Sequence, residues 1–107
     1  LATNPIFPRE AIVERLRWAG FRSDEFEAIT SYEQMRACKP LPSYFRQAAS
    51  LLGLSPDECL MVGDDPVLDA AAADVGMRVF YVGPAPEPAV DWSGTFDELS
   101  NLLTRLE

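Results

Sequence analysis

Three aspartates, Asp64, Asp65 and Asp69, follow the apolar run Leu60–Val62 and a glycine in the stretch LMVGDDPVLDA. Carboxylates this close repel one another unless something holds them. Two kinds of chemistry justify the arrangement. A helix N-terminus welcomes negative charge, because its free N–H groups and its dipole both favour it. A hard divalent cation such as Mg²⁺ takes carboxylate and water oxygens. Asp64 and Asp65 suit either role. Asp69 follows Asp65 by one helical turn, where like charges oppose a helix. It reads as an exposed helical residue, or as one whose charge a cation or a lysine offsets. Lys39 and Thr3 offer complementary groups: an ammonium that neutralises phosphate charge and a hydroxyl that donates to phosphate oxygens. Singly they read as a surface lysine and a strand-end threonine. Their joint placement is what counts.

Composition narrows the options. The 107 residues suffice for one domain, and 48% hydrophobic content supports a modest core. There is no histidine, which removes Ser-His-Asp and Cys-His catalysis and most catalytic zinc sites. Net charge is −8, so neither nucleic acid nor an anionic membrane surface is expected as a partner. Cys38 and Cys59 lack metal-binding spacing and read as a reduced pair, which points to the cytoplasm. No apolar run reaches the roughly 18 residues that a membrane span needs. The opening Leu1-Ala2-Thr3-Asn4-Pro5 reads as the end of a strand that begins upstream, as in a fragment or processed product.

The elements that must position these groups follow from periodicity. Pro8 suits the first turn of a helix carrying Ile12, Val13, Leu16 and Ala19, stopped by Gly20. Phe26–Thr30 reads as a short strand and residues 31–40 as a loop. A helix is expected from Pro42 to Leu52, with Tyr44, Phe45, Ala48, Ala49 and Leu52 inward. Ser55–Glu58 has the capping-box pattern. Cys59–Val62 is uniformly apolar and is expected to be buried on both faces, as in a parallel sheet. A helix is expected over Asp65–Val75, a strand over Arg78–Val82, and a proline-rich loop over Gly83–Pro88. A second capping box, Thr95–Glu98, opens a final helix with Leu99, Leu102, Leu103 and Leu106 on one stripe. Trp18 reads as a helix-packing residue and Trp92 as a loop residue. Strand and helix alternate throughout, which predicts an α/β fold with a mostly parallel sheet. Ligands in such sheets bind at the carboxyl ends of the strands. Thr3, Lys39 and Asp64 all fall there.

These residues look like a known family. LATNP (Leu1–Pro5), CKPLPSYF (Cys38–Phe45) and VGDDPVLDA (Val62–Ala70) resemble, in order and spacing, the second, third and fourth motifs of the haloacid dehalogenase superfamily of phosphohydrolases. Val75–Gly83 is similar to the strand after the fourth motif. The resemblance implies a three-layer Rossmann-like parallel sheet. It implies that Thr3, with Asn4 beside it, and Lys39 bind the transferring phosphoryl group. It implies that Lys39 stabilises its charge and orients the nucleophile. Asp64 would ligate Mg²⁺, and Asp69 would support the metal through water or by pairing with Lys39. Asp65 falls at a variable position. The substrate would be a small phosphorylated metabolite.

One departure is large. The family's first motif, Asp-x-Asp, supplies the aspartate that becomes phosphorylated. It is absent here. Residues 1–107 therefore resemble the C-terminal portion of the core, lacking the nucleophile-bearing central strand and the cap. Alone they are expected to be inactive. The missing strand would leave a gap beside Cys59–Val62, to be filled by an N-terminal segment or a second copy, or closed by direct pairing of the two edges. Lys39→Ala is expected to cut turnover while leaving folding nearly intact. Two other readings remain: a non-catalytic interaction module that keeps the fold, and a receiver-like phosphoacceptor domain. The latter has its acidic pair early in the chain, whereas here threonine and lysine precede it.

Overall fold

The computed structural model describes residues 1–87 and 89–106. Three parallel strands, β1 (Leu60–Gly63), β2 (Arg78–Val82) and β3 (Trp92–Gly94), form one sheet in the order β1-β2-β3. Leu60 lies opposite Arg78, and Phe80 opposite Trp92. Helices α1 (Arg9–Trp18), α2 (Pro42–Leu51) and α3 (Phe96–Leu106) complete the regular elements, with short 3-10 turns between them.

Side chains alternate across the sheet. Met61 and Val79 face α2 and join Tyr44, Phe45, Ala49, Ala72 and Met77 in the main core. Phe80 faces α3 and packs on Leu99 and Leu102, with Leu60, Val82 and Trp92 at the margin. Helices on both faces make three layers, as expected. A separate apolar cluster joins Ile12 and Leu16 of α1 to Ile29. Pro42 starts α2 at a position where its missing N–H is harmless. The Ser55–Glu58 box forms as predicted, with both reciprocal bonds in place. At α3 the Thr95 hydroxyl accepts the Glu98 N–H at 3.2 Å.

Several expectations need correction. Leu1–Thr3 and Phe26–Thr30 are not strands. They run side by side, tied by the Leu1 amine to the Ala28 carbonyl at 2.8 Å and the Thr30 N–H to the Leu1 carbonyl at 3.1 Å. Among the described residues these are the backbone bonds between the two segments, too few to extend into a ladder. The Asp65–Val75 helix is instead one turn followed by a 3-10 helix, Ala70–Val75, stopped by Gly76 at φ 95°. The Asp69 side chain turns back to Lys39 and to the Asp64 and Asp65 N–H groups, and beyond it the chain bonds i to i−3, as from the Ala72 N–H to the Asp69 carbonyl at 3.1 Å. Val62 is 37% exposed, so β1 is not buried on both faces. It is an edge strand among the described residues. Trp92 begins β3 rather than sitting in a loop. Trp18 does not pack: it is 74% exposed. Pro88 of the proline-rich loop and the side chain of Leu106 lie outside the described residues.

Leu1–Thr3 and β1 do not pair with each other. An apolar cleft of roughly 90 Å³ separates them, lined by Ala2 on one side and Leu60 and Met61 on the other, with Phe45 also in its wall.

Candidate active site

Gly63 ends β1, and the three aspartates beyond it do three different things. The Asp65 carboxylate accepts the N–H groups of Leu68 at 2.8 Å and Val67 at 2.9 Å. Those bonds, helped slightly by the charge of Lys39, hold its pKa below the usual carboxylate value. Asp69 is buried and turns back toward the strand end. Its Oδ2 accepts the N–H groups of Asp64 and Asp65, both at 3.1 Å, and its Oδ1 accepts Lys39 Nζ at 2.7 Å. Asp64 is exposed, and its carboxylate has no protein partner among the described residues. The close approach of Asp69 requires a glycine at position 63. A Cβ there would sit 2.3 Å from Asp69 Oδ2 and 2.5 Å from its Cγ.

Lys39 is not the surface residue its sequence context allowed. Its side chain is 9% exposed and that of Asp69 10%. Its N–H donates to Asn4 Oδ1 at 3.0 Å, and Nζ lies 5.9 Å from the centre of the Tyr44 ring. The Lys39–Pro40 peptide bond is cis. Tyr44 itself is fully buried in the first turn of α2. Its hydroxyl donates to the Thr3 carbonyl at 2.9 Å and lies 2.9 Å from the Thr30 hydroxyl, which in turn is 2.5 Å from the same carbonyl. Burial pushes the Tyr44 phenol up to about 12, and the charge of Asp69 adds to the effect.

A chain of contacts therefore runs from Thr3 through Tyr44 and Lys39 to Asp69 and on to Asp64. Every residue singled out in the sequence lies on it or directly beside it: Thr3, Asn4, Lys39, Asp64, Asp65 and Asp69. Tyr44 and Thr30 were missed as site residues. The signal for Tyr44 was a hydroxyl at an inward helix position beside Phe45, since a buried hydroxyl needs a partner. Among the described residues no three acidic or other metal-ligating side chains converge. Asp64 is the single free carboxylate of the run. It lines a cleft of about 340 Å³ with Val62, Gly63, Val82 and Phe96.

β1 of the parallel sheet thus leads directly into Asp64, with Lys39 brought to it through Asp69 and the Thr3 carbonyl held by Tyr44. Residues 2–75 match the haloacid dehalogenase-like hydrolase family, and the chain belongs to it. Haloacid dehalogenase-like hydrolase domain-containing protein 3 of Xenopus laevis is 33% identical over 69 residues, 64% of this chain and 28% of that protein. The putative phosphatase YhcW of Bacillus subtilis is 37% identical over 59 residues, 55% of this chain and 27% of that protein. The chain thus spans under a third of the length of either relative. Among solved structures, a HAD phosphatase from Thermococcus onnurineus superposes with a TM-score of 0.75 at 29% identity. That match covers 90% of this chain and 46% of the other. A HAD family hydrolase from Deinococcus radiodurans R1, solved with bound phosphate and sodium, shares the fold at a TM-score of 0.66 and 23% identity, over 91% of this chain and 48% of that one. Family membership sets aside the receiver-domain reading.

Proposed function

We propose that the protein carrying this chain is a Mg²⁺-dependent phosphohydrolase that acts on a small phosphorylated metabolite. The observation that carries this is the division of labour in the acidic run. Asp69 is consumed in fixing Lys39, Asp65 is consumed in the turn, and Asp64 is left free at the strand end. Mg²⁺ is held through one or two carboxylates, water and substrate phosphate rather than by an all-protein cage. One free carboxylate fits that need in part, and Asp64 is the residue that would hold the ion. The ion's contribution is to neutralise phosphoryl charge. Asp69, with both oxygens engaged, would support such an ion through water.

This chain's own residues then do the following. Lys39 offsets the charge on the phosphoryl oxygens, held in place by Asp69. Thr3 donates its hydroxyl to one of those oxygens, and Asn4 fixes the backbone of Lys39. With Asp64 assigned to the ion, Asp65 to the turn and Asp69 to Lys39, none of the three carboxylates is left to attack phosphorus. We therefore assign the nucleophile to an extended strand lodged between Leu1–Thr3 and β1, where the apolar cleft and the unpaired β1 edge offer a place for it. That strand would come from an N-terminal segment, or from a second copy. On this reading residues 1–107 alone are inert. The cytoplasm is the proposed compartment, because Cys38 and Cys59 are both free and Cys38 is exposed.

The test is Asp64→Asn in the whole enzyme, assayed with a phosphomonoester panel against Mg²⁺ concentration. Turnover is expected to fall by about two orders of magnitude or more, the scale of losing one charge-stabilising group. Activity within a few-fold of wild type would reduce Asp64 to a turn residue.

A further inference from the structure

The Thr3 carbonyl is gripped more closely than an ordinary loop carbonyl. Two hydroxyls converge on it, Tyr44 at 2.9 Å and Thr30 at 2.5 Å, and the two hydroxyls are 2.9 Å apart. The Thr30 hydroxyl also lies 3.4 Å from the Leu1 carbonyl, so the pair brings two protons to four oxygen–oxygen contacts. Whichever way Thr30 turns its proton, Tyr44 can still donate to the carbonyl. Tyr44 and Thr30 are both buried, at 0% and 3% exposure, so water does not compete for these bonds.

The consequence lies on the other side of the peptide. The Thr3–Asn4 bond is trans, since Lys39–Pro40 is the cis bond of the described residues. In a planar trans peptide the C=O and the next N–H point in opposite directions. Holding the Thr3 carbonyl into the core therefore turns the Asn4 N–H away from it. That N–H has no acceptor among the described residues. Asn4 is also tied by its side chain to the Lys39 backbone at 3.0 Å, and the Tyr44 ring lies beneath the Lys39 ammonium at 5.9 Å. One tyrosine thus contacts both the threonine loop and the lysine.

We propose that Tyr44 and Thr30 are positioning residues: their hydroxyl pair locks the Thr3–Asn4 peptide so that its free N–H is presented to the phosphoryl group in register with Lys39. This rests on the phosphohydrolase reading. Neither residue touches substrate. They act through the peptide they hold.

The test uses inorganic phosphate with Mg²⁺ as the probe and follows the Asn4 amide by ¹H–¹⁵N NMR. Three proteins are compared with wild type: Tyr44→Phe, Thr30→Val and Thr30→Ser. The Asn4 resonance is expected to move on phosphate addition in wild type. In Tyr44→Phe and Thr30→Val, phosphate affinity is expected to drop about fivefold to tenfold, the range for one net hydrogen bond, with a reduced Asn4 shift. Thr30→Ser, which keeps the hydroxyl, is expected to restore both. A merely structural role would lower the melting temperature of the variants but leave affinity and the Asn4 shift unchanged. If both hydroxyl-deleting variants bind phosphate within twofold of wild type and Asn4 moves as before, the positioning role is overturned while the phosphohydrolase reading stands. If wild type itself shows no phosphate response at Thr3, Asn4 or Lys39, both fall together. Should Tyr44→Phe fail to fold, Thr30→Val carries the same comparison.

Discussion

The carboxylate of Asp69 is gripped on both oxygens, one by an ammonium and the other by two backbone N–H groups. That arrangement ties folding to function at a single ion pair. A buried pair adds little net stability relative to apolar residues, but removing one partner strands a charge in a poorly solvated place. Lys39→Met is therefore expected to cost about 3–5 kcal/mol of unfolding free energy as well as turnover. The expectation that loss of Lys39 spares folding does not survive the 9% exposure of its side chain. Urea unfolding at neutral pH reads the effect. The double variant Lys39→Met with Asp69→Asn is expected to recover part of the loss, because the stranded group is then neutral. A loss below about 1 kcal/mol in Lys39→Met would mean the pair behaves as a solvated surface pair.

At the scale of elements, helix caps do measurable work. The Thr95 hydroxyl accepts the Glu98 N–H, and the Glu98 carboxylate lies within reach of the Thr95 N–H at 3.4 Å. This fixes the start of α3, the helix that covers Phe80 with Leu99 and Leu102. Thr95→Ala is expected to destabilise the protein by about 1 kcal/mol, the usual value for a lost N-cap, read as a lower melting temperature with unchanged phosphate binding. Both capping boxes were legible in the sequence because they are local: four residues contain the whole pattern. The periodicity of α2 and α3 and the apolar runs of β1 and β2 were legible for the same reason. Asp65–Val75 was misread because its conformation depends on Lys39, thirty residues before Asp69, drawing that carboxylate back over Gly63. β3 escaped notice because three residues, Trp92 to Gly94, carry no period of their own and exist as a strand only beside β2. The acidic run, Lys39 and Thr3 announced themselves by charge and spacing. The Tyr44–Thr30 pair did not, since nothing local links a helix residue to a threonine fourteen positions earlier.

The whole molecule has a seam. The main core joins α2, β1, β2 and the Ala70–Val75 turn, while α1 packs with Ile29 in a cluster of its own. The polar bridges across the seam include the Tyr44–Thr3 and Tyr44–Thr30 bonds and the Lys39–Asn4 bond, with Ala2, Met35 and Ala37 among the apolar contacts at the margin of the main core. Bonds of this kind contribute about 1 kcal/mol each, whereas burial of a large aliphatic side chain contributes about 2 kcal/mol. The α1 side is therefore expected to open without global unfolding. Native-state hydrogen exchange is the direct measurement. Amides of Ile12–Trp18 are expected to exchange at a free energy a few kcal/mol below those of Val79–Tyr81 and Phe45–Ala49. A strand lodged between Leu1–Thr3 and β1 would bond to both edges and bury apolar surface against both halves, merging them into one cooperative unit. The exchange gap should then close when the whole enzyme is measured in place of residues 1–107. If α1 and β2 already exchange through the same opening in the isolated chain, the polar bridges suffice by themselves, and the cleft beside β1 is a surface groove rather than the place of a strand.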